Sequence, residues 1–131
     1  MAEQLVGIVD YGMGNITSIR NMIRHVGGNA ALISDPAGLS KADRIILPGV
    51  GAFDNGMQKL RDRGFVDILH KLVKEERRPV LGICLGMQLM TKRSHEGELE
   101  GLGWFDAETY RSSGSLTPSA SLLSEKTKPA P

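Results

Sequence analysis

The single cysteine of this 131-residue chain, Cys84, stands in the run Gly82-Ile83-Cys84-Leu85-Gly86-Met87-Gln88. A thiolate is a strong nucleophile, and its reactivity depends on where the backbone holds it. Gly-x-Cys-x-Gly is the spacing that a nucleophile on a sharp strand-to-helix corner requires, because the central residue takes up strained geometry and its neighbours must be small. A lone cysteine is more often a small core hydrophobe. Two glycines around it, just after an apolar run at residues 80–83, are hard to explain by packing, so Cys84 is the candidate nucleophile. At a helix start, orphan N–H groups and the helix dipole favour an anion, which is expected to make the thiolate more accessible. Gln88 lies one turn further on, where its amide faces either the pocket above the sulfur or solvent.

A nucleophile that attacks a carbonyl needs donors for the oxygen that becomes negative. Pro48-Gly49-Val50-Gly51 is a glycine loop in which backbone N–H groups can turn toward a bound atom. The N–H of Gly51 or Val50, paired with that of Leu85, is the expected oxyanion hole; the alternative is an ordinary Gly-Pro turn. Asp10-Tyr11-Gly12-Met13-Gly14-Asn15 is a further glycine loop. Its Gly-x-Gly suggests a dinucleotide fingerprint, but the third glycine position falls at Thr17. A tight turn, with Asn15 capping the following helix, accounts for it as well.

These loops share one edge if the chain builds a parallel sheet. Residues 5–9, 30–33, 45–47 and 80–83 are short apolar runs of the kind buried in such sheets. Helical spacings separate them. Ile16, Ile19, Met22, Ile23 and Val26 share a face that ends at Gly27-Gly28. Phe53, Met57 and Leu60 space a helix up to Gly64, and Phe65, Ile68, Leu69, Leu72 and Val73 space another that runs into a charged, solvated end at Lys74-Glu75-Glu76-Arg77-Arg78. Leu85, Leu89 and Met90 continue helically after the cysteine. Residues 35–38 read as a turn, 96–103 as a glycine-rich loop and 104–110 as one more strand. The expected fold class is α/β, a doubly wound, mostly parallel sheet flanked by helices.

Sixteen Lys and Arg against fifteen Asp and Glu give a net charge of +1, spread along the chain, so no nucleic-acid footprint is expected. The apolar stretches are strand length, which argues against a membrane span, and residues 1–4 lack a signal-peptide pattern. One cysteine excludes an internal disulfide, and a reactive thiol fits a reducing cytoplasm.

Taken in order, Asp10-Tyr11-Gly12-Met13-Gly14-Asn15, Leu47-Pro48-Gly49-Val50-Gly51-Ala52-Phe53, the cysteine run, and Glu96-Gly97 with Gly101-Leu102-Gly103-Trp104 resemble the class I, or triad, glutamine amidotransferases. Among them the chain is most similar to the glutaminase subunits of imidazole glycerol phosphate synthases, over residues from about 4 to 110. The resemblance implies a flavodoxin-like sheet and a glutaminase that needs no cofactor and no metal. Cys84 would attack the glutamine side-chain amide, giving a glutamyl thioester and ammonia, and water would then release glutamate. Gly49 and Gln88 would hold the substrate, and residues 48–51 would be a mobile oxyanion strand reoriented by partner and substrate. Ammonia would pass to a cyclase subunit with a (β/α)8 barrel, for imidazole-ring formation in histidine synthesis, with Tyr11, Gly12, Met13 and Asn15 facing that partner. The Glu96 to Thr109 stretch, with Trp104-Phe105-Asp106-Ala107-Glu108-Thr109, also looks like a paralogous branch serving surface-polysaccharide pathways. A noncatalytic partner-binding piece is the other alternative.

The family's base is a histidine in a His-x-Glu motif far downstream of the cysteine. Here His25 and His70 fall on helix faces upstream, and His95, followed by Glu96, matches no triad position. Residues 1–111 therefore read as the N-terminal part of an amidotransferase domain. Residues 112–131, dominated by Ser, Thr, Pro, Lys and Ala, read as a disordered tail outside the family. Such a chain is expected to leave apolar surface and a strand edge uncovered, and to have negligible glutaminase activity.

Overall fold

The computed structural model describes residues 4–110 and the backbone of Thr127–Pro129. Four parallel strands form the main sheet in the order β2-β1-β3-β4: β1 Leu5–Val9, β2 Asn29–Ile33, β3 Arg44–Leu47 and β4 Val80–Gly82. The register sets Ile8 beside both Leu32 and Ile46, and Leu47 beside Gly82. The sheet thus places the ends of β1, β3 and β4, and the loops that leave them, along one edge. This is the edge where ligands gather in open α/β sheets.

One face of the sheet carries α1 (Ile16–His25), whose Ile16, Ile19 and Ile23 pack on Ile8, Ala30 and Ile46. The expected stripe is narrower than its spacing suggests: Met22 and Val26 are exposed. Asn15 occupies the position before the helix but makes no side-chain capping bond. The other end is closed as expected, with Gly27 in the left-handed region and the Gly28 N–H returning to the Ile23 carbonyl at 2.8 Å.

The opposite face holds the larger core. α3 (Phe53–Asp62) and α4 (Phe65–His70) bury Phe53, Met57, Leu60, Phe65 and Leu69 against Val9, Leu39, Ile45 and Leu47. Each such side chain contributes roughly 1.5–3 kcal/mol by leaving water. Residues 35–38, expected as a turn, start a one-turn helix, α2 (Pro36–Leu39), because Pro36 is preset for a first helical position and Leu39 drops into the core. α4 continues into a π-helical turn at Lys71–Glu75. The charged end is not wholly solvated, since Arg78 donates to the Ser40 and Ala42 carbonyls at 2.5 and 2.7 Å and pairs with Glu76.

β4 lies at the edge of the sheet and Leu81 is exposed, so the apolar run at 80–83 is not buried on both faces. Beside it an apolar groove of about 290 Å³ is lined by Val6, Ile23, Ile46, Pro79 and Leu81. After α5 (Leu85–Leu89) a second sheet pairs β5 (Arg93–Ser94) with β6 (Ala107–Thr109) in parallel, and β6 with β7 (Thr127–Pro129) antiparallel. The strand expected at 104–110 is only Ala107–Thr109, because the Trp104 and Phe105 N–H groups turn back to the Met90 carbonyl instead of joining a ladder. The tail expected at 112–131 lies outside the described residues except for β7.

Candidate active site

Cys84 sits between β4 and α5 with φ 52° and ψ −119°, a combination that side-chain-bearing residues seldom adopt, and its side chain is exposed. Both flanking glycines are required by what surrounds them. A Cβ on Gly86 would collide with the Leu47 carbonyl, and one on Gly82 would stand 2.6 Å from Met87 Cα. The corner expected from Gly-x-Cys-x-Gly is therefore present. Gln88 is half-buried one turn further along α5.

The orphan donors expected at the helix start are all engaged. Leu85 N–H donates to the Gly49 carbonyl at 3.0 Å, Gly86 N–H to Ile83 at 2.9 Å and Met87 N–H to Cys84 at 3.0 Å. α5 is also only five residues long, which leaves little dipole to act on the sulfur.

The oxyanion hole expected from Leu85, Val50 and Gly51 is consequently not formed: a carbonyl fills the place where an oxyanion would bind. Among the described residues the Val50 and Gly51 N–H groups have no protein acceptor. Gly49 carbonyl and Val50 N–H belong to one peptide plane, so turning that plane over exchanges an acceptor for a donor and frees Leu85. Gly51, at φ 115°, gives the loop a residue free to follow. Gly49 itself is buried, wedged between the Tyr11 hydroxyl, Leu85 Cβ and Gly86 N, so in this arrangement it cannot touch a substrate.

The 10–15 loop lies over this assembly. Of the four positions expected to face a partner, Gly12 and Asn15 are exposed, whereas Tyr11 and Met13 are buried at 0% and 7%. The Tyr11 hydroxyl donates to the Pro48 carbonyl at 2.6 Å, and burial pushes its pKa well above the usual phenol range. Arg63 and Lys59 approach Gly12, and a Cβ there would stand 3.1 Å from the Arg63 guanidinium.

The histidines stay away from the thiol chemistry. His70 Nδ1 accepts from Trp104 Nε1 at 3.0 Å, and His25 is exposed on α1. His95 bonds Glu108 at 3.0 Å and stacks on Tyr110 at 3.9 Å. Glu108 also pairs with Arg93, and the Arg93 hydrogen bond holds its carboxyl below the ordinary range. Asp54, in the first turn of α3, accepts from the Glu98 N–H at 2.8 Å and the Leu99 N–H at 2.9 Å; the first and then the second lowers its pKa. These contacts pin the loop after α5. Sequence spacing gave no sign of them, although Gly97 is needed because a Cβ there would meet the Asp54 carboxylate.

A cleft of about 750 Å³ lies between α3, α4 and residues 92–108, lined by Arg61, His70, Arg93, Leu102 and Glu108, and does not include Cys84. Among the described residues no group of three or more His, Cys, Asp or Glu is placed to hold a metal, and no helix is long and apolar enough to cross a membrane.

A family model described as glutamine amidotransferase class-I matches residues 7–118. The chain is 52% identical over 107 residues to imidazole glycerol phosphate synthase subunit HisH 2 of Methanococcus maripaludis, covering 82% of this chain and 53% of that one. It is 47% identical over the same span and shares to HisH 2 of Pseudomonas aeruginosa. To subunit HisH of Symbiobacterium thermophilum it is 50% identical over 105 residues, 79% of this chain and 49% of that one. The chain spans about half the length of the curated relatives it matches. A solved structure described as a glutamine amidotransferase superposes with a TM-score of 0.70 over 81% of this chain and 56% of its own, at 23% identity, a likeness of fold.

Proposed function

The chain belongs to the class I glutamine amidotransferase family, and from that membership we propose that it carries the nucleophile half of a glutaminase subunit serving imidazole glycerol phosphate synthesis in histidine biosynthesis. The observation that carries this reading is the exposed Cys84 in strained geometry between two sterically required glycines. In the reaction the Cys84 thiolate adds to the carboxamide carbon of glutamine, and the carbonyl oxygen takes the negative charge. Collapse of the tetrahedral intermediate expels ammonia once its nitrogen is protonated and leaves a glutamyl thioester. Water then breaks the C–S bond, giving glutamate and the free thiol. Leu85 N–H, with that of Val50 or Gly51, serves the oxyanion after the Gly49–Val50 peptide has turned. Gln88 holds the substrate, and Gly49 contributes once that loop has moved. Gly12 and Asn15 belong to the surface met by a (β/α)8-barrel cyclase, which receives the ammonia, and the setting is cytoplasmic.

We read residues 1–111 as corresponding to the first half of the relatives. Within these 131 residues no His-x-Glu follows Cys84. Mass spectrometry after incubation with a diazo-ketone glutamine analogue, with and without a cyclase barrel, tests the assignment. The expected result is one adduct on Cys84 and none in Cys84→Ser. An unlabelled Cys84 that still reacts with iodoacetamide would refute it.

A further inference from the structure

We propose that Tyr11 is a positioning residue that latches the 48–51 loop in its closed arrangement. The purpose assigned to the latch rests on the glutaminase reading of Cys84; the latch itself does not.

Tyr11 is completely buried, yet its hydroxyl is satisfied by one acceptor, the Pro48 carbonyl at 2.6 Å. A buried hydroxyl without a partner costs free energy, so this bond fixes where Pro48 sits. The next residue, Gly49, is held against the same hydroxyl, and its carbonyl occupies the Leu85 N–H at 3.0 Å. Two further contacts run from the same loop. A Cβ on Gly14 would stand 3.3 Å from Gly49 N, and a Cβ on Gly51 would stand 3.3 Å from Met13 Cε. Tyr11, Met13 and Gly14 thus grip residues 48, 51 and 49. A peptide turn that frees Leu85 must shift the Pro48 carbonyl or loosen this grip.

Amide hydrogen exchange by NMR on the full chain tests this. In Tyr11→Phe the ring still fills the core, but the Pro48 carbonyl loses its donor. Leu85 amide exchange is expected to rise about fivefold relative to the Ile46 amide in the sheet, the size of one net hydrogen bond. Leu60→Ala, which weakens the whole core, is expected to speed both amides alike. If Leu85 and Ile46 change by the same factor in Tyr11→Phe, the latch is refuted. The rate of Cys84 labelling by the diazo-ketone analogue, divided by that with iodoacetamide, is expected to rise with Leu85 exchange. Faster Leu85 exchange with no labelling by the analogue in either form would uphold the latch and refute the glutaminase reading.

Discussion

Replacing Cys84 with glycine is expected to make the chain more stable than replacing it with alanine. At φ 52° and ψ −119° a Cβ is held in a region that glycine alone enters freely. Residues kept in such conformations cost about 1–3 kcal/mol each. Glycine also gains freedom in the unfolded chain, which offsets about 0.5–1 kcal/mol of the relief. The side chain is exposed, so losing the sulfur or the methyl removes almost no packing. The net difference is about 1 kcal/mol in favour of glycine, equivalent to a Tm higher by about 4 °C for a chain of this size. Thermal unfolding of Cys84→Gly and Cys84→Ala, followed by circular dichroism under identical conditions, measures it. A glycine variant with a Tm equal to or below that of the alanine variant would refute the claim that the corner is strained.

Gly86→Ala is expected to destabilise by about 3 kcal/mol or more, because its methyl overlaps a backbone carbonyl that cannot move without breaking the Leu47–Gly82 register; urea denaturation midpoints check this, and a near-neutral result would contradict the geometry. Asp54 has a pKa lowered from its ordinary 3.8 by the Glu98 and Leu99 N–H groups, so its stabilising effect is complete above that value and disappears as pH falls through the lower folded value. Asp54→Asn is therefore expected to lower Tm most above about pH 5 and to converge with the parent chain in strong acid. A Tm gap that widens on acidification would contradict the sign.

The parts of this site that a one-dimensional pattern can carry were legible: strand-length apolar runs, helical spacing, and glycines around a cysteine. β1, β3 and the Cys84 corner fall where those patterns place them. The failures share a cause, since they depend on which groups meet across the fold. Leu85 looks like a free donor until the Gly49 carbonyl is seen against it, and Tyr11 looks like a surface aromatic in a glycine loop until its hydroxyl is found beneath Pro48. That Gly49 is wedged among three neighbours is likewise carried by no pattern along the chain. Residues 104–110 alternate like a strand, yet Trp104 and Phe105 answer to the Met90 carbonyl at the end of α5.

The close approach of Gly14, Gly49 and Gly86 carries an evolutionary consequence. Gly14 lies against the Gly49 backbone and Gly86 against the Leu47 carbonyl, so at these two positions the contacts are backbone, whereas Gly49 also meets the Tyr11 hydroxyl and Leu85 Cβ. Where side chains meet, a large residue on one side can be offset by a small one on the other. Backbone offers no such exchange, so drift at Gly14 or Gly86 has no compensating mutation within reach. Lineages that retain the corner are expected to hold Gly14 and Gly86 together and to diversify at exposed neighbours such as Val50 and Met87. Libraries built to alter the site have room at those two positions and none at Gly14 or Gly86.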